Sequence, residues 1–286
     1  MSIPPPFVCL VGTGRCGSTL LYNLLARHRS FAWPSGFSNA FPRAPWVALT
    51  HRFWRLKDPK DFRGWRGFPK PAEPNHLIQL VLGGQYQVED PSLLSEQTII
   101  TLREHFDSVK KYHGADCIIL KVVGFPVRID LFSLMWSGGK FVHIERDLKP
   151  SVSSTLNVDF YSGWGTLDRW EWTPVPAELK AFHESVDECE AVGVAIGLWL
   201  QRRRIEDQLG RLDSENVMVI HYADLVSGHS QTMEILLRWL GLPFEEAYAR
   251  LLGRASVEEK ADEKWKQYLS RDQIDNLDAF QERFGY

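Results

Sequence analysis

The sequence predicts one α/β domain with a mostly parallel central sheet flanked by helices, and three observations lead there. Short apolar runs of strand length at 7–11, 117–123, 140–145 and 217–222 alternate with stretches whose apolar residues recur at helical spacing. Few hairpin-type turns separate these elements, so the strands must be joined by crossovers, which make neighbours parallel. The chain has 286 residues, within what α/β folds fill as one unit, and neither a Gly/Ser linker nor an internal repeat divides it. Residues 1–286 are therefore expected to form one domain.

Each element has a local reason. Phe7–Val11 is wholly apolar and stops at Gly12, as a strand buried on both faces does. Leu20, Leu21, Leu24 and Leu25 then fall on one helical face, so strand, glycine turn and helix open the chain. Residues 29–75, rich in Pro, Trp, Phe and Arg, hold no period and are expected to be irregular and pocket-forming. Helical patterns at 92–113 and 127–136 flank the second strand, Cys117–Val123, whose oddity is Lys121. Lys140–Glu145 is the third strand, and Pro150 suits the first turn of the helix after it. An aromatic loop over 158–175 with Trp164, Trp170 and Trp172 precedes one long amphipathic helix at 176–209 and a fourth buried strand at 217–222. Helices at 230–240, 244–252, 257–268 and 271–283 complete the pattern.

Charge and composition limit the partners. With 33 basic against 36 acidic residues the formal net charge is −3, which leaves no global basic field for nucleic acid yet allows a local anion site. Cys9, Cys16, Cys117 and Cys189 lack Cys-x-x-Cys spacing and the histidines form no short-spaced pair, so neither a metal nor a disulfide framework is expected. No stretch reaches the roughly 20 apolar residues of a membrane span, and no secretory leader is visible. The chain reads as cytoplasmic, with neither membrane nor nucleic acid as partner.

The chemistry concentrates at Gly12-Thr13-Gly14-Arg15-Cys16-Gly17-Ser18-Thr19, between a strand and a helix, where free N–H groups and the helix dipole attract a phosphate. The letters also fit the dinucleotide fingerprint Gly-x-Gly-x-x-Gly, but that fold needs an acid about 20 residues on, and residues 29–50 hold none. They nearly fit the nucleotide-kinase loop, except that Ser18 stands where its lysine belongs. A kinase remains as an alternative, as does a non-catalytic nucleotide-binding protein. A second anion site is suggested by Arg146 at a strand end and Ser154 eight residues later, a guanidinium fork and a hydroxyl, with Ser151 or Ser153 able to substitute. Cys16 reads either as a thiolate favoured by Arg15 and the helix dipole or as a small filler.

Three segments together resemble the sulfotransferases that use 3′-phosphoadenosine 5′-phosphosulfate (PAPS), a family with P-loop-kinase-like architecture, and their bacterial-type members look nearest. Gly12–Leu21 is similar to the family's 5′-phosphosulfate loop, with Cys16 in place of the usual Ser. Phe141–Asp147 with Ser154 looks like its 3′-phosphate motif. Val219-Ile220-His221-Tyr222-Ala223-Asp224-Leu225 is similar to a strand ending in Tyr-Glu-Asp-Leu, whose Tyr contacts adenine, with Ala223 replacing the Glu.

The resemblance implies sulfuryl transfer from PAPS to a hydroxyl of a small-molecule acceptor, with PAP as product and no metal. It implies a cofactor site of Gly14, Arg15, Cys16, Gly17, Ser18, Thr19, Arg146, Ser154 and Tyr222. In it, Arg15 and the N–H groups of Gly17, Ser18 and Thr19 hold the leaving 5′-phosphate. Lys121 matches a lysine near the sulfuryl group, but the histidine expected two residues later is Val123. The general base must lie elsewhere. The stretch 29–50 offers neutral groups such as Ser35, Ser38 and Asn39, so Glu73 and His76 are the candidates, with Glu89 and Asp130 behind them. Several of the 11 Trp residues lie in 33–65 and 158–175, which suggests a pocket wall for an apolar or aromatic alcohol, although plain packing would use them as well.

Overall fold

A computed structural model describes residues 5–56, 69–124, 126–158, 167, 173–255, 257 and 263–286. Five strands, β1 (Phe7–Gly12), β2 (Phe31–Ala32), β3 (Cys117–Val123), β4 (Lys140–Glu145) and β5 (Val217–His221), form one sheet in the order β2-β3-β1-β4-β5. Every neighbouring pair is parallel. Helices α1 (Ser18–Leu25), α2 (Gly36–Ala40), α3 (Asn75–Leu82), α4 (Glu96–His113), α5 (Ile129–Met135) and α6 (Leu148–Leu156) cover the first half. The second half carries α7 (Ala177–Ser185), α8 (Glu190–Leu209), α9 (Tyr222–Ser227), α10 (His229–Trp239), α11 (Glu246–Leu252), α12 (Trp265–Tyr268) and α13 (Arg271–Phe284).

The apolar runs produce this layering because alternate residues of each strand feed opposite faces. Phe7, Cys9, Leu120 and Phe141 pack with Leu102, Phe106 and Phe132 of α4 and α5. Val8, Leu10, Ile119 and Val142 pack with Leu21 and Leu24 of α1 and Leu236 of α10. A third core joins α6, α7, α8 and α13 through residues such as Val152, Leu179, Ala195 and Phe280. Because β1 is central and all strands run one way, the carboxyl ends of β1, β3, β4 and β5 meet on one rim. Open parallel sheets bind ligands there, where crossovers leave on opposite sides of a strand.

Several expectations are corrected. The single helix over 176–209 is two helices, α7 and α8, broken where Asp187 and Glu188 both take φ of 51°. No Gly or Pro marks that break, and both helices pack into the third core. The run at 217–222 is an edge strand of five residues rather than a buried one: Val219 is 48% exposed and Tyr222 already begins α9. The two-residue strand β2 lies inside the stretch read as irregular. Of the helix expected at 257–268, α12 alone is helical among the described residues. Trp164, Trp170 and Trp172 lie outside the described residues, as does Trp65. Trp33 and Trp54 are wholly buried in the core, where Trp33 donates to the Ala26 carbonyl at 3.0 Å, whereas Trp46 of the same stretch is exposed.

Candidate active site

The phosphate loop leaves β1 at Gly12 and turns with Cys16 N–H donating to Thr13 O at 3.3 Å. Arg15 and Gly17 take positive φ, 66° and 93°. Glycine is required at 17 for a second reason, since a Cβ there would sit 2.1 Å from Cδ2 of the Tyr222 ring. At Gly12 a Cβ would meet Cys16 Sγ at 2.6 Å. Cys16 is wholly buried and fills this space, and burial pushes its thiol up despite Lys121 nearby. That corrects the thiolate expectation: desolvation outweighs Coulombic help. Gly17, at the N-cap of α1, makes no side-chain capping bond to the first turn of the helix. Gly14 N–H is different, for it donates to Gln201 Oε1 of α8 at 2.9 Å.

One flank of the loop is cationic. Arg15 Nε donates to Ser154 Oγ at 3.0 Å, and Arg146 Nη1 donates to the Arg15 carbonyl at 3.0 Å. Arg146 also lies over the Tyr222 ring, 4.4 Å from its centroid. Arg15 is held below its ordinary value by burial first and by Arg146 second. Arg15, Arg146, Ser153, Ser154, Lys264 and Trp265 line a cavity of about 180 Å³, and no carboxylate is among its described lining residues. Ser154 is thus the serine that meets Arg15, whereas Ser151 is wholly buried. The Arg15 guanidinium, expected at the 5′-phosphate, meets Ser154 in this structure. Lys264 was missed from sequence, where its signal was the basic-aromatic run Lys264-Trp265-Lys266. A second cavity of about 250 Å³ beyond Tyr222 is lined by Glu145, Arg146, Arg202 and His221 among others.

The other flank is an ion pair between a buried lysine and a half-buried carboxylate. Lys121, 9% exposed on β3, donates to Thr19 Oγ1 at 2.9 Å and to Glu73 Oε1 at 2.7 Å. Register explains its direction: Lys121 is opposite Leu10, so both project to the face that α1 covers. Glu73 also raises the buried Tyr22 phenol, second to burial itself. His76 does not join this group. It is exposed, and its backbone N–H, donating to Asn39 Oδ1 at 3.2 Å, is what connects it to the site. Glu89 pairs with Arg204 and Asp130 with Arg211. Among the described residues no cluster of three or more His, Cys, Asp or Glu is placed to hold a metal ion, and no helix is long and apolar enough to cross a membrane.

A parallel sheet with a glycine loop at its central strand and cations on both flanks defines a protein that handles phosphate- or sulfate-bearing groups. Residues 6–246 match the sulfotransferase family model, and the chain belongs to that family. The solved structures it is similar to include the sulfotransferase domain from the curacin biosynthetic pathway, at 14% identity and TM-score 0.52 over 98% of this chain and 99% of that one. The sulfotransferase domain of the Synechococcus PCC 7002 olefin synthase has 15% identity and TM-score 0.52, over 98% and 96%. A Mycobacterium avium sulfotransferase has 14% identity and TM-score 0.54, over 99% and 78%. At these identities the likeness concerns the fold. No curated protein sequence matches the chain.

Proposed function

We propose that residues 1–286 act as one transferase domain that moves a sulfuryl group from PAPS to a hydroxyl of a small acceptor, apolar or aromatic, and releases PAP. The observation that carries this reading is the loop's asymmetry: Arg15, Arg146 and Ser154 gathered at one cavity on one flank and the Lys121–Glu73 pair on the other. The residues fit PAPS. The amides of Gly17, Ser18 and Thr19 would hold the 5′-phosphate, and Arg146, Arg15 and Ser154 with Lys264 the 3′-phosphate. Tyr222 presents a ring against the loop for adenine. PAPS supplies an activated sulfuryl group. Lys121 lies where it can balance charge on that group and on the departing phosphate.

Glu73 is the general base in this reading, because it is the acid that the fold brings to Lys121. The acceptor oxygen bonds to sulfur as the sulfur bond to the 5′-phosphate oxygen breaks. The acceptor proton passes to the Glu73 carboxylate, and the electron pair leaves with PAP. A cytoplasmic setting is supported by four free cysteines, which suit a reducing compartment.

Calorimetry with PAP, ATP and NADH, each with and without Mg²⁺, tests the class. Micromolar PAP binding without metal is expected. Mg²⁺-dependent ATP binding with no PAP binding would replace this reading by a kinase. PAP release from PAPS is then followed with a panel of phenols, naphthols and straight-chain alcohols. PAP binding without release under any of them would mark a non-catalytic nucleotide-binding protein.

A further inference from the structure

We infer that Asn39 is a positioning residue that sets the Glu73 carboxylate against Lys121, an inference that rests on the Glu73 reading above. Glu73 lies in an extended segment without a strand of its own, tied to the start of α2 by Ala72 N–H to Pro34 O at 3.0 Å and Gly36 N–H to Lys70 O at 3.3 Å. These bonds end at residue 72. Beyond them, one carboxamide bridges both ends of the turn Glu73–His76. Asn39 Nδ2 donates to the Glu73 carbonyl at 2.6 Å, and Asn39 Oδ1 accepts from His76 N–H at 3.2 Å. A donor and an acceptor are both needed, which selects an amide over a carboxylate of the same reach.

The second bond does the work of a missing cap. Pro74, at the N-cap of α3, makes no side-chain capping bond, and His76 is in the helix's first turn. Asn39 therefore caps α3 from another helix and pins the carbonyl of the residue that carries the carboxylate. Glu73 is then held at both ends, by Asn39 at its backbone and by Lys121 at its carboxylate. Asn39 is itself anchored. Ser35 caps α2 through bonds from Phe37 and Ser38 N–H, with Ser38 Oγ accepting from Ser35 N–H in return. His51 Nε2 lies 2.8 Å from Ser35 Oγ and its ring stacks on Trp33 at 4.3 Å. A buried, aromatic-backed cap thus fixes α2, α2 fixes Asn39, and Asn39 fixes Glu73.

The test uses the full chain carrying Asn39→Ala or Asn39→Asp, each alone and combined with Glu73→Gln. The Asp variant keeps the acceptor for His76 and loses the donor to Glu73. Amide exchange across residues 73–78 is read alongside PAP affinity and single-turnover PAP release with the best acceptor of the panel. In Asn39→Ala, exchange at His76 should rise at least about tenfold, as expected for loss of its acceptor. Both variants should lose about tenfold or more in rate with PAP affinity within about twofold, and neither should slow Glu73→Gln further, because residues acting through one group are not additive. Unchanged exchange, unchanged rates, or losses that multiply in the double variants would overturn the role of Asn39. A wild-type rate in Glu73→Gln overturns the base reading itself. A slow Glu73→Gln beside fast Asn39 variants overturns the role of Asn39 alone.

Discussion

On one side of the phosphate loop Lys121 is almost wholly buried and meets a carboxylate 2.7 Å away, whereas on the other Arg15 and Arg146 share a cavity whose described lining holds no acid. Both flanks carry cations, and the loop between them is the same loop. Their surroundings assign them different work. A lysine beside a carboxylate forms a near-neutral unit, and once the carboxylate takes up a proton the lysine's charge is left to face the negative charge on the departing group. Two guanidiniums gathered with Ser154 at one cavity offer forked donors of the kind that hold phosphate oxygens. The first flank suits chemistry and the second suits holding a ligand, and this division can be broken by measurement.

The largest effect should come from Glu73→Gln. Single-turnover transfer is expected to fall by at least about 10²-fold, the range of general-base work, while PAP affinity stays unchanged. A parallel loss of PAP affinity would mean that this flank also holds the nucleotide, and the division would fail. Arg146→Ala should do the converse. PAP binding should weaken by about 1.5–3 kcal/mol, the range for a lost charged hydrogen bond, with adenosine 5′-phosphosulfate affected far less. Equal weakening of the two ligands would remove the 3′-phosphate from this flank.

A third test sharpens the comparison by stability. His51 bonds to the cap of α2 on the Glu73 side, and burial, with His113 adding to it, lowers its pKa from 6.5 to about 3. Below pH 6.5 the unfolded chain takes up a proton that the native state refuses, so stability falls as pH drops from 6.5 toward 3. The slope from this one group approaches about 1.4 kcal/mol per pH unit. His51→Gln should flatten the difference in Tm between pH 7 and pH 5; an unchanged slope would show that His51 is protonated in the native state. The smallest effect belongs to Cys16. Alkylating agents should leave PAP binding of wild type and Cys16→Ser alike, because burial keeps the thiol protonated and covered. Selective loss in the wild type would restore the reactive reading.

Much of this site was legible along the chain, for reasons that are local. A buried parallel strand needs a near-continuous apolar run, so β1 announces itself, and β3 and β4 do so despite Lys121 and His143. A phosphate loop needs glycine where the backbone turns and hydroxyls at the helix start, and Gly12–Thr19 has them. Arg146 and Ser154 were visible as a strand end and a helix position, and Glu73 as one of two candidates, with His76, after the acid-free stretch 29–50. The two-residue β2 was not visible, because two residues show no period, nor was the break between α7 and α8, which has no Gly or Pro.

What the amino-acid order determined by itself is the set of quantities that depend on neighbours in the chain: strand and helix periodicity, the turn chemistry of the loop, and the spacing of Arg146 from Ser154. Only the tertiary structure decided the quantities that depend on residues far apart. It turned Arg15 toward Ser154, 139 positions away, set Glu73 on Lys121, 48 positions away, and gave the Gly14 amide to Gln201. It buried Cys16, placed Lys264 beside Arg146, and joined Asn39 to both ends of the Glu73 turn. The physical reason is that side-chain direction, desolvation and hydrogen-bond partner are properties of packing, and packing is set by sheet order and register across the whole chain.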